Sequence, residues 1–177
     1  MGFQHSFDIL TFYLSMGGNI GLTLYFHRIW CYSGAMSVQL GIQSKIRVVL
    51  DTNVLFEGLT KQGSAAGVIM DAWIHSLFRV CVTDALIYSD VLSRKLSPAR
   101  LVEANQTLSV LLSMAEFVAI HYRWRPSSPD PGDEFLIDCA MNANALLVTS
   151  NVRDFRHAQQ LLGLNVFTPK RFLEFLI

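Results

Sequence analysis

Four short apolar runs constrain this chain more than anything else in it: IRVVL (46–50), FRVCVT (78–83), EFVAI (116–120) and ALLVT (145–149). Each is rich in β-branched or aromatic residues and reads as a buried strand. Helical patterns lie between them. Ser64 is placed to cap a helix whose apolar face is Val68, Ile69, Ala72, Trp73 and Leu77. A second helix is expected near 85–96. Ser97-Pro98 reads as an N-cap with proline at the first helical position, opening a helix to about Met114. RPSSPDPG (125–132) is a turn-rich loop, and a further helix runs from it to about Asn144. NVF (165–167) reads as a short fifth strand, and Pro169 opens a closing helix with Phe172, Leu173 and Leu176 on one side. Strands that alternate with helices join in parallel, and a parallel sheet is covered on both faces. The expected fold class is therefore α/β.

This pattern starts only at about Lys45, so the chain divides into an extension, 1–44, and a domain, 45–177. Residues 9–26, ILTFYLSMGGNIGLTLYF, carry no charge over 18 positions, just enough to be weighed as a membrane span. Gly17, Gly18 and Asn19 at its centre weaken that reading, and nothing basic precedes it as in a secretory signal. A start at Met36 is the competing reading. The domain is expected to be cytoplasmic, with a membrane an unfavoured partner. Cys31, Cys81 and Cys139 are far apart and odd in number, which suits reduced thiols better than a disulfide framework or a metal site. Lys+Arg and Asp+Glu both total 14, so no global field draws in nucleic acid, and any such contact must be a local patch.

Sites in open parallel α/β sheets form at the carboxyl ends of the strands. Asp51 ends the first strand and sits at that edge. In DPGDEFLIDCAMNAN (130–144), Phe135, Leu136, Cys139, Ala140 and Ala143 share one helical face. Asp133 lies in the first turn at its margin, with Glu134 and Asp138 further round, toward solvent. A helix that enters from the carboxyl edge brings Asp133 toward Asp51. The alternative for Asp133 is a helix-dipole acid. The fourth strand ends at Val148-Thr149, which places Ser150 and Asn151 at the same edge. Carboxylates gathered without Cys or His suit a hard cation, Mg²⁺ or Mn²⁺.

Three stretches, RVVLDTNVLFEGL, DPGDEFLIDCAMNANALLVTSNVRDF and VFTPKRFLEFL, make 46–177 resemble a PIN domain, in particular the VapC-like components of toxin–antitoxin pairs. The resemblance implies a three-layer α/β/α sandwich with a central parallel sheet of four to five strands. It also implies a Mg²⁺- or Mn²⁺-dependent ribonuclease that hydrolyses RNA phosphodiesters and is neutralised by a small antitoxin protein. A homodimer is a further partner state considered. Asp51 matches the first acid of the family, Asn53 its companion and Asp133 its third acid, which makes these three the catalytic candidates. Two departures stand out. The family's Glu after the second strand has no counterpart in ALIYSDVLSRKL (85–96), where Ile87 or Ser89 takes its place and Asp90 is the nearest acid. Asn151 stands where many members have Asp, with Asp154 in reserve. The metal-ligand candidates are thus Asp51, Asp133, Asn151 and Asp90.

Arg94, Lys95 and Arg100 form one basic cluster, Arg123 and Arg125 a second, and Arg153, Arg156 and His157 a third. Each reads as a solvated face, yet each flanks the acidic cleft. Arg94, Lys95, Arg153 and Arg156 are the RNA-backbone candidates. Trp73, Trp124 and His75 read as core or part-core residues. The alternative function is a catalytically weakened module that binds RNA or a protein partner. An aspartyl-phosphate enzyme is disfavoured because Asn53 stands where that chemistry needs a second Asp.

Overall fold

The computed structural model describes residues 46–61, 63–83 and 95–176. All of them belong to the unit Ser44–Ile177. β1 (Arg47–Leu50) leads into α1 (Thr52–Thr60) and α2 (Ala65–Ile74). Then come β2 (Arg79–Val82), α3 (Pro98–Ser113), β3 (Glu116–Phe117), α4 (Glu134–Ala143) and β4 (Leu146–Val148). A 3₁₀ turn (Val152–Phe155), α5 (Arg156–Leu162), β5 (Val166–Phe167) and α6 (Pro169–Leu176) complete the chain. The strands pair in parallel in the order β3-β2-β1-β4-β5. The α/β class and the five-stranded parallel sheet are as the sequence implies.

Strand alternation sends successive side chains to opposite faces. Val48, Leu50, Val80 and Val82 pack into one core with Ile69, Trp73 and Phe172 from α2 and α6. Val49, Cys81 and Leu147 pack into the other with Leu136, Ile137, Cys139 and Ala140 from α4 and Ala158 from α5. Phe78 and Phe172 meet edge to face at 5.2 Å in the first core. Cys81 and Cys139 are free and buried in the second, and burial is the main cause that pushes their thiols up to about 11 and about 12. They stay protonated and are part of the packing.

Several local expectations are corrected. The third strand stops at Phe117 rather than reaching 120: the Val118 N–H still donates to Val82 O at 2.8 Å, but the chain then leaves the sheet. On α2 it is Met70, not Val68, that is fully buried. His75 is no part-core residue: it is the exposed C-cap of α2, its Nδ1 2.8 Å from Asp71 O. Helices α1 and α5 go beyond what the periodicity showed, because both are short and begin directly on another element. Most of the helix expected near 85–96 lies outside the described residues, as do 1–45 and the uncharged run 9–26. Among the described residues no helix is long and apolar enough to cross a membrane.

α1 carries Asp51 at its N-terminus, so its seating on α2 matters to the site. Gly58 makes that seating close: a Cβ there would lie 2.6 Å from Met70 Cγ and 2.9 Å from Ala66 O. The backbone oxygen cannot swing away. Gly58→Ala gains helix propensity, but overpacking of this kind costs about 1–3 kcal/mol. We expect a net loss of stability in urea melts; a stabilised variant would show that α1 and α2 separate easily.

Candidate active site

The strand order reverses between β1 and β4, the place where open α/β sheets form a crevice. Leu50 pairs with Val148, so Asp51 and Thr149 leave the sheet side by side. The Asp51 N–H donates to Val148 O at 2.9 Å. The Asp51 side chain is held at both oxygens. Thr149 Oγ1 donates to Oδ2 at 2.6 Å, and the Asn53 N–H donates to Oδ1 at 3.2 Å, which also caps α1. Asp51 is only 6% exposed and Thr149 fully buried. By strand alternation both point to the α4 side of the sheet, as does Thr83, which the register sets level with Asp51 on β2. The Thr83 hydroxyl is buried with no hydrogen-bond partner among the described residues.

α4 enters from this edge. Asp133 occupies its N-cap position but makes no capping hydrogen bond to the helix. An acid at this position still meets the positive end of the helix dipole. Burial, and then the charges of Asp51, Asp130 and Asp154, push the Asp133 carboxyl up to about 6, against a partial offset from the Ser128 hydroxyl. Two carboxylates far apart in the sequence thus repel each other across one cleft. The folded state holds this proton more tightly than the unfolded chain, so between about pH 4 and 6 stability falls as pH rises. Asp133→Asn should accordingly raise the melting temperature at pH 7.5, by a margin that narrows as pH is lowered through 6 toward 4. An equal effect at both ends of that range would show that the acids do not interact.

The remaining candidates divide. Asn53 is exposed at the rim, where its Oδ1 accepts from Lys95 Nζ at 3.0 Å. Lys95 also lies 5.0 Å from the centre of the Phe56 ring, so its cation is held against α1. Asn151 is exposed; its N–H donates to Thr149 Oγ1 at 3.0 Å, and its Nδ2 donates to Asp154 Oδ2. Its carboxamide nitrogen is thus spent on Asp154, the reserve acid, which acts on Asp133 electrostatically. Arg153 and Arg156 are exposed beside it. Asp90 and Arg94 lie outside the described residues. Thr149, absent from the candidates that the sequence offers, is brought beside Asp51 by the pairing of Leu50 with Val148.

Glu134 and Asp138 do not face solvent as the helical wheel suggested: they are 5% and 2% exposed. Residues 121–128 run back along α4 and cover them. Glu134 Oε1 accepts from the N–H groups of Ser127 and Ser128 at 2.7 and 3.0 Å. Asp138 accepts from the Trp124 N–H at 3.0 Å and from Arg125 Nε and Nη2 at 3.1 and 3.0 Å. Asn142 Oδ1 accepts from the N–H groups of His121 and Tyr122 at 3.0 and 3.2 Å, and its Nδ2 donates to Tyr122 O at 2.8 Å. Three polar side chains spaced four apart on one helix flank therefore strap an irregular segment to it. Arg125 belongs to this strap while one side of it stays exposed: its guanidinium also lies 4.6 Å from the centre of the Phe135 ring.

Among the described residues no three acidic, histidine or cysteine side chains gather closely enough to hold a metal ion by themselves. What is gathered is the Asp51–Asp133 pair, ringed by neutral oxygens and one orphaned buried hydroxyl, Thr83. Mg²⁺ keeps several waters and binds proteins through one or two carboxylates, so this donor set fits it.

The sequence profile of the PIN domain matches residues 47–153. The structure of VapBC2 from Rickettsia felis, bound to a DNA fragment from their promoter, is similar in fold. The two are 14% identical, the match covers 70% of this chain and 98% of that one, and the TM-score is 0.51. FitAcB from Neisseria gonorrhoeae is 16% identical, with 70% and 98% covered and a TM-score of 0.49. No curated protein sequence matches this chain. With the profile spanning more than half of the chain, the chain belongs to the PIN domain family.

Proposed function

We propose that residues 45–177 form a divalent-metal-dependent endoribonuclease that acts as the toxin of a toxin–antitoxin pair. The observation that carries this reading is the mutual repulsion of Asp51 and Asp133 in a half-buried cleft at the sheet's switch point. An uncompensated acidic pair is costly to maintain, and a cation is what relieves it. Asp51 and Asp133 would hold Mg²⁺ or Mn²⁺, with Asn151 at the margin. Such an ion would supply positive charge at a phosphodiester and lower the pKa of water, so that hydroxide is available as the nucleophile.

The chain's own residues do the rest. Thr149 fixes the rotamer of Asp51 through a 2.6 Å hydrogen bond, and the α1 N-terminus holds its other oxygen. Asn53 positions the Lys95 ammonium at the rim, where it can bind a phosphate oxygen. Arg153 and Arg156 offer further cations on the β4 side. Family membership supports RNA as substrate, and the pairing seen in the Rickettsia felis structure supports a small antitoxin as partner. The protein should cleave RNA in Mg²⁺ or Mn²⁺ and not in EDTA. If it neither cleaves nor binds Mn²⁺ in a calorimeter, the enzymatic reading fails. The alternative, a PIN-like module that only binds RNA or protein, then stands in its place; the absence of the family's Glu from 85–96 is what favours that second reading.

A further inference from the structure

The strap over α4 does more than cover Glu134 and Asp138. It begins at the site, where Ser127 and Ser128 cap onto Glu134, and ends two helical turns away, where His121 and Tyr122 are gripped by Asn142. That is about 12 Å along the helix. Its outer surface alternates basic and aromatic residues: His121, Tyr122, Arg123, Trp124. Tyr122 is 62% exposed, although its ring is braced edge to face against Trp124 at 4.8 Å. Arg123 is exposed and makes no ion pair among the described residues. The inner cation, Arg125, is locked on Asp138 and Phe135, and the backbone is tied down at three rungs. An exposed tyrosine on so rigid a support loses little freedom when something stacks on it.

We propose that this strap is a binding track for single-stranded RNA that leads into the Asp51–Asp133 cleft. Tyr122 serves as a stacking platform for a base, and Arg123 and His121 serve as contacts to the backbone. The inference rests on the ribonuclease reading for its choice of ligand. Two features favour a nucleic acid over a protein partner. The exposed Tyr122 ring stands between two exposed basic residues, His121 and Arg123, so a stacked base and its flanking phosphates can be met together. The track is continuous with the cleft through Ser128, whose hydroxyl acts on Asp133.

The test is fluorescence anisotropy with the full chain in EDTA and a labelled, mixed adenosine–uridine oligoribonucleotide of about 12 nucleotides. Tyr122→Ala should weaken binding at least about fivefold, the lower end for loss of one stacked base. Tyr122→Phe should keep wild-type affinity, and Tyr122→Leu should not. Arg123→Ala should weaken binding and lower the salt slope by roughly one. Leu161→Ala, at an equally exposed site on α5, should change nothing. The track is overturned if Tyr122→Ala and Arg123→Ala bind like wild type, or if Tyr122→Leu binds like Tyr122→Phe. It is equally overturned if Tyr122→Ala abolishes self-association while RNA binding is unchanged, since the surface would then be a protein interface. Binding in EDTA does not require cleavage. A protein that binds RNA through Tyr122 and cuts none overturns the nuclease reading alone. One that cuts RNA with KM unchanged by Tyr122→Ala overturns the track alone.

Discussion

Asp51→Asn should abolish metal-dependent RNA cleavage, by about a hundredfold or more, without unfolding the domain. The scale is that of losing one aligned electrostatic contact at a reacting centre. The fold survives because asparagine caps helices as well as aspartate does. Its Oδ1 can still accept from the Asn53 N–H, as Asp51 Oδ1 does at 3.2 Å. The weaker point is Thr149. Its hydroxyl now donates to Asp51 Oδ2 at 2.6 Å, and in the variant it must turn to accept from the new amide. The oxygen can accept this bond beside the one from the Asn151 N–H, but the hydroxyl proton then loses its acceptor in a fully buried position, at a cost of about 1–3 kcal/mol that the domain survives. Removal of one of two repelling carboxylates also releases Asp133, whose carboxyl should titrate below its present value of about 6. Activity and the pKa of Asp133 should therefore both fall while the domain stays folded. A variant that cleaves like wild type would make Asp51 a helix cap and nothing more. Thr149→Val offers a second check: it leaves the charge in place but frees its rotamer, so it should lower activity less than Asp51→Asn does.

The reading of sequence to structure succeeded where a single period dominates. IRVVL, FRVCVT and ALLVT are strands because their apolar residues are buried on both faces, and a continuous run is the mark of that environment. The convergence of Asp51 and Asp133 also followed, since a helix that returns antiparallel to the strands must start at their carboxyl edge. It failed where a third layer intervenes. A helical wheel places Glu134 and Asp138 outside the apolar arc, and that is where they are. It cannot show that residues 121–128 lie over that flank and bury both acids under backbone N–H groups. The same segment explains why EFVAI stops at two strand residues: the chain leaves the sheet edge to reach α4. Thr149 was missed for a different reason. Its meaning depends on register, the pairing of Leu50 with Val148, and register between distant strands is not written in either strand alone.

The largest effect on stability should come from Asp138. This carboxylate is 2% exposed and holds the centre of the strap, with one backbone N–H and two guanidinium nitrogens. Asp138→Ala leaves the Trp124 N–H and the Arg125 cation without their acceptor, beside a small cavity. Breaking a buried pair in this way costs about 3–5 kcal/mol, and the partial exposure of Arg125, at 35%, argues for the lower end because its head can turn to water. Asp138→Asn should cost less, since its Oδ1 still serves the Trp124 N–H. Asp138→Leu with Arg125→Met replaces both charges by apolar groups and should recover much of the loss. Urea midpoints give the ordering directly. Amide exchange shows where the strain goes: His121, Tyr122 and Trp124 should exchange faster in Asp138→Ala, while β1 and β4 stay protected. If the whole sheet exchanges together instead, the strap is part of the folding core. Nothing in it could then adjust to a bound strand independently of the cleft.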